Sequence, residues 1–225
     1  MSRTQRALRD LSCIGGIAAF LALTASFLAA QDASQTVTEL QRRYASVRTL
    51  AGSFQQTYRA PGIQQVEAGV FYLQKPGLMR WQYGVPEEKL FVADGRESFL
   101  YVPQDRQVTV QALTASDLRN TPFEFLTGSG DITGSFNVGP ERELRPSLEG
   151  TVMIRLIPKT SRTDYSFISL EVDRETHEIR RISIREQTGN TSEFIFTNLS
   201  YNRKLDRKLF QFSIPQGVEV VRLEE

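Results

Sequence analysis

At 225 residues, 40% hydrophobic and 24% charged, the chain is long enough to bury a sizeable core and too apolar to be intrinsically disordered. Its 27 basic and 26 acidic residues nearly cancel, which removes the electrostatic case for nucleic acid or for a basic grip on anionic lipid headgroups. A single cysteine rules out a disulfide framework within the chain.

The amino terminus is read as a leader. Arg3, Arg6 and Arg9 precede an uncharged stretch over 14–30, and polar Gln31-Asp32 follows. That is the layout of a secretory signal peptide, expected over 1–30 with the cut placed only approximately at Ala29/Ala30. Gly15, Gly16, Thr24 and Ser26 favour cleavage over retention as an anchor. Cys13 lies before the apolar stretch, with Asp10 upstream of it, which is the wrong setting for lipid attachment. Removing three Arg and one Asp with the leader leaves 24 basic against 25 acidic residues and no cysteine in a single domain over 31–225.

Next, Val37, Leu40, Tyr44 and Val47 recur at helical spacing, with Thr36 or Thr38 available as a cap, and predict a short amphipathic helix. Residues 49–59 alternate Leu50, Gly52, Phe54, Gln56 and Tyr58 on one face, the period of a strand. Ala60-Pro61-Gly62 breaks it. Further strands are expected at 65–73, 78–83, 89–93, 97–102 and 107–111. Lys75-Pro76-Gly77, Val85-Pro86-Glu87, Asp94-Gly95 and Pro103-Gln104-Asp105 separate them as the turns of an antiparallel meander. Within 71–83, Met79, Trp81 and Tyr83 share one face and Leu78, Arg80 and Gln82 the other. Such a row walls either a core or a cavity.

The strands pause at 116–128. Thr121-Pro122 sets up a helix start, a cap residue followed by Pro at the first helical position, and Phe123, Phe125 and Leu126 give that helix an apolar side. It is too short to stand alone, so something must receive its aromatics. After a Gly-rich connection, strands are expected at 151–157, 166–172, 179–186, 192–201, 210–214 and 218–221, with a hairpin turn at 173–177. The sum is a mostly β chain with a few short helices. Several strands are apolar on both faces, which suggests a curved sheet with helices against its open side. The intervening space is either packed or hollow.

Chemistry is sparse. His177 sits in a predicted turn with no Ser, Cys or metal-ligand pattern beside it, and reads as a solvated turn residue. There is no G-x-S-x-G elbow, no phosphate-cradling loop and no carboxylate pair suited to acid/base work. No catalytic residue, metal or cofactor is assigned, and elimination leaves a binding protein. The aromatic groups Phe71 and Tyr72 with Trp81 and Tyr83, Phe99 and Tyr101, and Phe123 and Phe125 are core or pocket. A pocket made of them suits a strongly apolar ligand such as an acyl chain.

In order and spacing, LQRRYASVRTLAGSFQQ, GVFYLQKPGLMRWQY, KLFVADGRESFLYVP, NTPFEFLTG and LFQFSIPQGVEV resemble the outer-membrane lipoprotein carrier protein family, LolA. The resemblance implies an incomplete antiparallel β-barrel with helices covering its open side, and a hydrophobic cavity for lipoprotein acyl chains. It implies a periplasmic monomer, not an enzyme. Its partners would be acylated lipoproteins, an ATP-driven lipoprotein-releasing transporter in the inner membrane, and an outer-membrane receptor. On this reading Phe54, Phe71, Met79, Trp81, Tyr83, Phe99 and Tyr101 line the cavity, while Val37, Leu40, Tyr44, Phe123, Phe125 and Leu126 form the lid. Where the family commonly has an arginine that bonds lid-helix carbonyls, this chain has Lys75, so a weaker or differently aimed latch is expected. The competing readings are a lipid-sensing or receptor domain on the same half-barrel and, from another class, a secreted hydrolase with dispersed catalytic groups.

Overall fold

The chain is helical over 30–45 (α1), and its next turn leads into strand β1, Thr49–Ala60. The computed structural model describes residues 30–113, 124–127, 131–160 and 164–223. The leader up to 29, Thr121-Pro122 and Phe123 lie outside them. Helix α1 is longer than its apolar spacing suggests. Thr36 and Thr38 are therefore not caps but interior residues, whose hydroxyls donate to the carbonyls of Asp32 (2.8 Å) and Ser34 (3.0 Å) one turn back. Ala33, Val37, Leu40 and Tyr44 form its buried stripe.

A meander follows: β2 (Ile63–Gln74), β3 (Leu78–Val85), β4 (Lys89–Asp94), β5 (Glu97–Val102) and β6 (Gln107–Ala112). Its turns carry the expected chemistry. Gly77 and Gly95 have φ of 70° and 92°, and the Asp94 carboxylate accepts from the N–H of Arg96 and Glu97 at 2.8 Å each. Two short helices come next, α2 (Glu124–Thr127) and α3 (Ile132–Ser135, capped by Asp131). The second run comprises β7 (Phe136–Pro140), β8 (Thr151–Pro158), β9 (Tyr165–Asp173), β10 (Ile179–Glu186) and β11 (Thr191–Tyr201). Strand β7 is an addition to the sequence expectation, in which its residues belong to the Gly-rich connection.

The two runs join through β1 and β11. The result is one 12-stranded sheet ordered β12-β6-β5-β4-β3-β2-β1-β11-β10-β9-β8-β7, where β12 is Glu219–Leu223. It curls without closing, so it is an incomplete barrel. Every ladder is antiparallel except β12 against β6, which is parallel. Strands β6 and β7 sit near opposite edges; between them in sequence, Phe125 and Leu126 of α2 are 2% and 1% exposed and belong to the shared core.

The expected strand at 210–214 is absent. Asp206 instead caps a 3₁₀ turn, Arg207–Phe210, by accepting from the N–H of Lys208, and irregular chain continues to β12. This tail straps the convex face of β3–β6. Arg80 donates to the Leu209 carbonyl (3.2 Å), and Phe212 and Val218 pack on a second small core of Val92, Phe99, Val108 and Val110. On the convex face of β8–β11 a polar network does the covering. Glu141 is bound by Arg155 and Ser169, and Glu171 by Ser147, Leu148, Thr151 and Arg181. Among the described residues no helix is long and apolar enough to cross a membrane.

Candidate functional site

Cross-strand register decides which side chains share the concave face. Leu50, Leu73, Met79 and Ala93 form one row across β1–β4, and Gly52, Phe71, Trp81, Phe91 and Leu100 form the next across β1–β5. Phe54, Gly69, Tyr83 and Lys89 make the third. Two glycines permit this crowding. A Cβ on Gly52 would meet Phe71 and Leu199 at 3.0 and 2.9 Å, and one on Gly69 would lie 2.0 Å from the Gln82 carbonyl oxygen.

Five of the expected cavity residues come together here. Phe71 stacks on Trp81 (centroids 4.9 Å apart, planes at 19°), and Phe54 meets Trp81 and Tyr83 edge-on at 4.9 Å each. Met79 lies in the same core. The far run completes the wall with Phe194 and Phe196, which contact Trp81 at 6.2 and 6.4 Å, and with Ile154, Ile168, Leu170 and Ile182. Sequence reasoning misses these residues as part of a site, although Phe194 and Phe196 show strand period.

Phe99 and Tyr101 do not join them. Their β4 partners, Val92 and Leu90, face outward, so both rings lie on the convex side and pack against Phe212 at 5.4 and 5.7 Å. Leu100, between them, points inward, and with Phe91 it takes their place at the wall.

The concave face is partly packed and partly hollow. Val37, Leu40 and Tyr44 of α1 are 0–1% exposed, and with Phe125 and Leu126 they close over the shared core. Beside them a cavity of about 360 Å³ is lined by Gln56, Glu67, Met79, Trp81, Tyr83, Lys89, Phe91 and Leu100. Its size is in the range of small-molecule sites, roughly 300–1,000 Å³. The half-buried Tyr83 phenol, pushed up to about 12 by its desolvation and by Glu67, donates to Gln56 Oε1 at 3.1 Å and stays neutral.

The carboxyl end of α1 is fastened firmly. Lys75 Nζ donates to the Tyr44 carbonyl (2.8 Å), while Tyr44 Oη accepts from the Ile179 N–H (3.1 Å). Arg43 pairs with Glu178 at 2.6 Å and lies over the Tyr201 ring at 4.4 Å. Asn202 accepts from the Arg48 N–H at 2.7 Å. At the other end the helix has an exposed pair, Asp32–Arg174 at 2.9 Å, and such pairs contribute little. His177 stands in the β9–β10 turn at φ 54°, its N–H bonded to the Asp173 carbonyl. Among the described residues no cluster of His, Cys, Asp or Glu is placed to hold a metal.

A curled, unclosed sheet with an apolar concave face, a cavity in it and a helix laid across it is the build of a carrier of apolar ligands. The family model described as outer membrane lipoprotein carrier protein LolA matches residues 45–213, and the chain belongs to that family. Among relatives, the outer-membrane lipoprotein carrier protein of Hahella chejuensis is 32% identical over 79% of this chain and 83% of its own length. That of Bordetella avium is 30% identical over 91% of this chain and 94% of its own. In fold alone, the chain is similar to an uncharacterized conserved protein from Thermus thermophilus, with a TM-score of 0.52 at 12% identity. That likeness covers 85% of this chain and 99% of the other.

Proposed function

We propose that this chain, freed of its leader over 1–30, works as a monomeric carrier in the periplasm. It shelters the acyl chains of lipoproteins and conveys them from the inner to the outer membrane. It takes cargo from an ATP-driven transporter and yields it to an outer-membrane receptor. The observation that carries this reading is the cavity walled by Met79, Trp81, Phe91 and Leu100 beside the buried lid stripe of α1.

The mechanism follows from what the lid covers. Val37, Leu40 and Tyr44 bury apolar surface on the same core that holds Met79 and Trp81. An acyl chain entering the cavity and spreading beneath α1 exchanges one apolar interface for another. A buried methylene is worth about 0.8 kcal/mol whichever partner covers it. Loading and release are then near-isoenergetic, as a carrier requires, and direction comes from the donor and the acceptor. The weak Asp32–Arg174 end of α1 lifts first, and the bonds around Tyr44 act as the hinge.

The test is release of an acylated lipoprotein from inner-membrane vesicles into a soluble complex with the purified protein. Leu100→Glu, at a wall position 41% exposed and so compatible with folding, is expected to abolish the complex while leaving thermal unfolding unchanged. Full release by that variant contradicts the assignment.

A further inference from the structure

The cavity is not apolar all round. Its polar members are gathered at one end by register. Tyr83 is directly opposite Lys89, and Gln56 is directly opposite Glu67 one row further along the strands. Met79 and the Trp81–Phe91–Leu100 row lie the other way. Each row is about 7 Å from the next, twice the strand rise per residue. Along the strands the wall therefore changes from wholly apolar to hydrogen-bonding within about two rows, a gradient matched to an amphiphile with its tail toward Met79.

The chemistry of that end is specific. Glu67 is 7% exposed and ion-paired with Lys89, whose ammonium also stands 4.9 Å from the centre of the Tyr83 ring. Gln65 donates to the same carboxylate oxygen at 3.1 Å. The one cation is thus already neutralised by a buried anion. Gln56 accepts the Tyr83 hydroxyl's hydrogen bond on its oxygen, which aims donors of its amide away from that bond. The quartet offers hydrogen-bond donors to a ligand, from Lys89 and from Gln56, without offering unspent positive charge.

We propose that Gln56, Glu67, Tyr83 and Lys89 form a head-group subsite that accepts acyl chains ending in a neutral ester or amide carbonyl and rejects chains ending in a free carboxylate. This rests on the reading of the cavity as an acyl site. A neutral carbonyl accepts a hydrogen bond from Lys89 or Gln56 and leaves the Glu67–Lys89 pair intact. A carboxylate brings a second anion beside Glu67 in a partly water-excluded place, where like charges repel strongly and the buried pair must be disturbed to receive it.

The experiment is displacement of the neutral fluorophore N-phenyl-1-naphthylamine from the purified protein at pH 8.5. The competitors are monopalmitoylglycerol, N-palmitoylglycinamide and palmitate, against wild type, Glu67→Gln and Gln56→Leu. Wild type is expected to bind the ester and the amide about tenfold more tightly than palmitate, the effect of one charge-assisted hydrogen bond made or opposed. Glu67→Gln, which frees Lys89, is expected to bring palmitate to within about twofold of the neutral ligands. Gln56→Leu is expected to weaken the ester and the amide only. Equal affinities in wild type overturn the proposal even if a variant fails to fold, as does unchanged discrimination in a folded Glu67→Gln. If no acyl compound displaces the fluorophore from any form, the carrier reading itself fails. If all displace it equally, only the subsite fails.

Discussion

Lys75 reaches from the β2–β3 corner to the carbonyl of Tyr44, 2.8 Å away, and so ties the last turn of the lid helix to the sheet. The Tyr44 carbonyl has only a 3.2 Å bond from the Val47 N–H in place of an i+4 helical partner, and the negative end of the helix dipole favours a cation there. Burial lowers the Lys75 ammonium below its ordinary range, so the contact is made against some desolvation. Lysine supplies a compact point charge here, without the planar two-pronged geometry of an arginine fork. Lys75→Met is therefore expected to destabilise the protein by about 1 kcal/mol, visible as a thermal midpoint lower by a few degrees. Release of bound cargo to acceptor vesicles should quicken, and Lys75→Arg should preserve both properties. Unchanged midpoint and release in Lys75→Met would remove the latch from the account.

Glu141 gives a pH test of the convex face. Burial alone would raise its pKa, but Arg155, Ser169 and the N–H groups of Glu143 and Leu144 outweigh burial and bring it from 4.5 to about 2. A carboxylate lowered in the folded state stabilises above its unfolded value, and that contribution is lost as pH falls through the folded one. Stability should therefore decline between about pH 4.5 and 2. Glu141→Gln should cost on the order of 2–3 kcal/mol at pH 7 and nearly nothing near pH 2. Denaturant melts at both pH values check it, and an equal loss at both would exclude the linkage.

Phe212 separates the two faces. Its ring covers Phe99 and Tyr101 outside the barrel and touches nothing in the cavity. Phe212→Ala should lower stability by about 2–4 kcal/mol, a large-to-small change in a partly buried cluster, without altering acyl affinity. Chemical denaturation and ligand displacement on the same sample decide it, and a variant that loses affinity while remaining folded would return Phe99 and Tyr101 to the cavity wall.

That pair also shows where the sequence stops being legible. Period two says which residues of a strand share a face, and it correctly grouped Met79, Trp81 and Tyr83, and Leu50, Gly52 and Phe54. It does not say which face is inside when both are apolar. In β5 the outward pair Phe99 and Tyr101 is greasier than the inward Leu100, because Phe212, over a hundred residues downstream, arrives to cover it. The meander and its turns are readable because Pro, Gly and Asp punctuate short apolar runs, whereas the incomplete barrel is what the family resemblance implies. Strand β7 was missed because Phe136 and Val138 sit among glycines. The run at 210–214 was misread because its alternation is real, yet Asp206 caps a 3₁₀ turn that ends at Phe210. Glu67 and Lys89 gave no signal, since only the hairpin registers bring them into one cavity.

Gly69 tests the crowding of the concave face. With its missing side chain 2.0 Å from the Gln82 carbonyl, Gly69→Ala must push β2 from β3 beside the Phe54–Tyr83 contact. A loss of about 2–3 kcal/mol is expected from such overpacking, together with a changed environment for Trp81, the sole tryptophan. Thermal melts and Trp fluorescence report both effects, and a variant as stable as wild type would show that the rows pack less tightly than described.

The central claim is that apolar ligands lodge on the concave face against Met79 and its neighbours. A photo-crosslinking residue at position 79, with a second at convex Val66 as control, reads this directly when the protein is loaded with an acylated lipoprotein. Mass spectrometry should find acyl-chain adducts at 79 and none at 66. Adducts at 66 alone, or at neither position in a demonstrably loaded complex, would contradict the account.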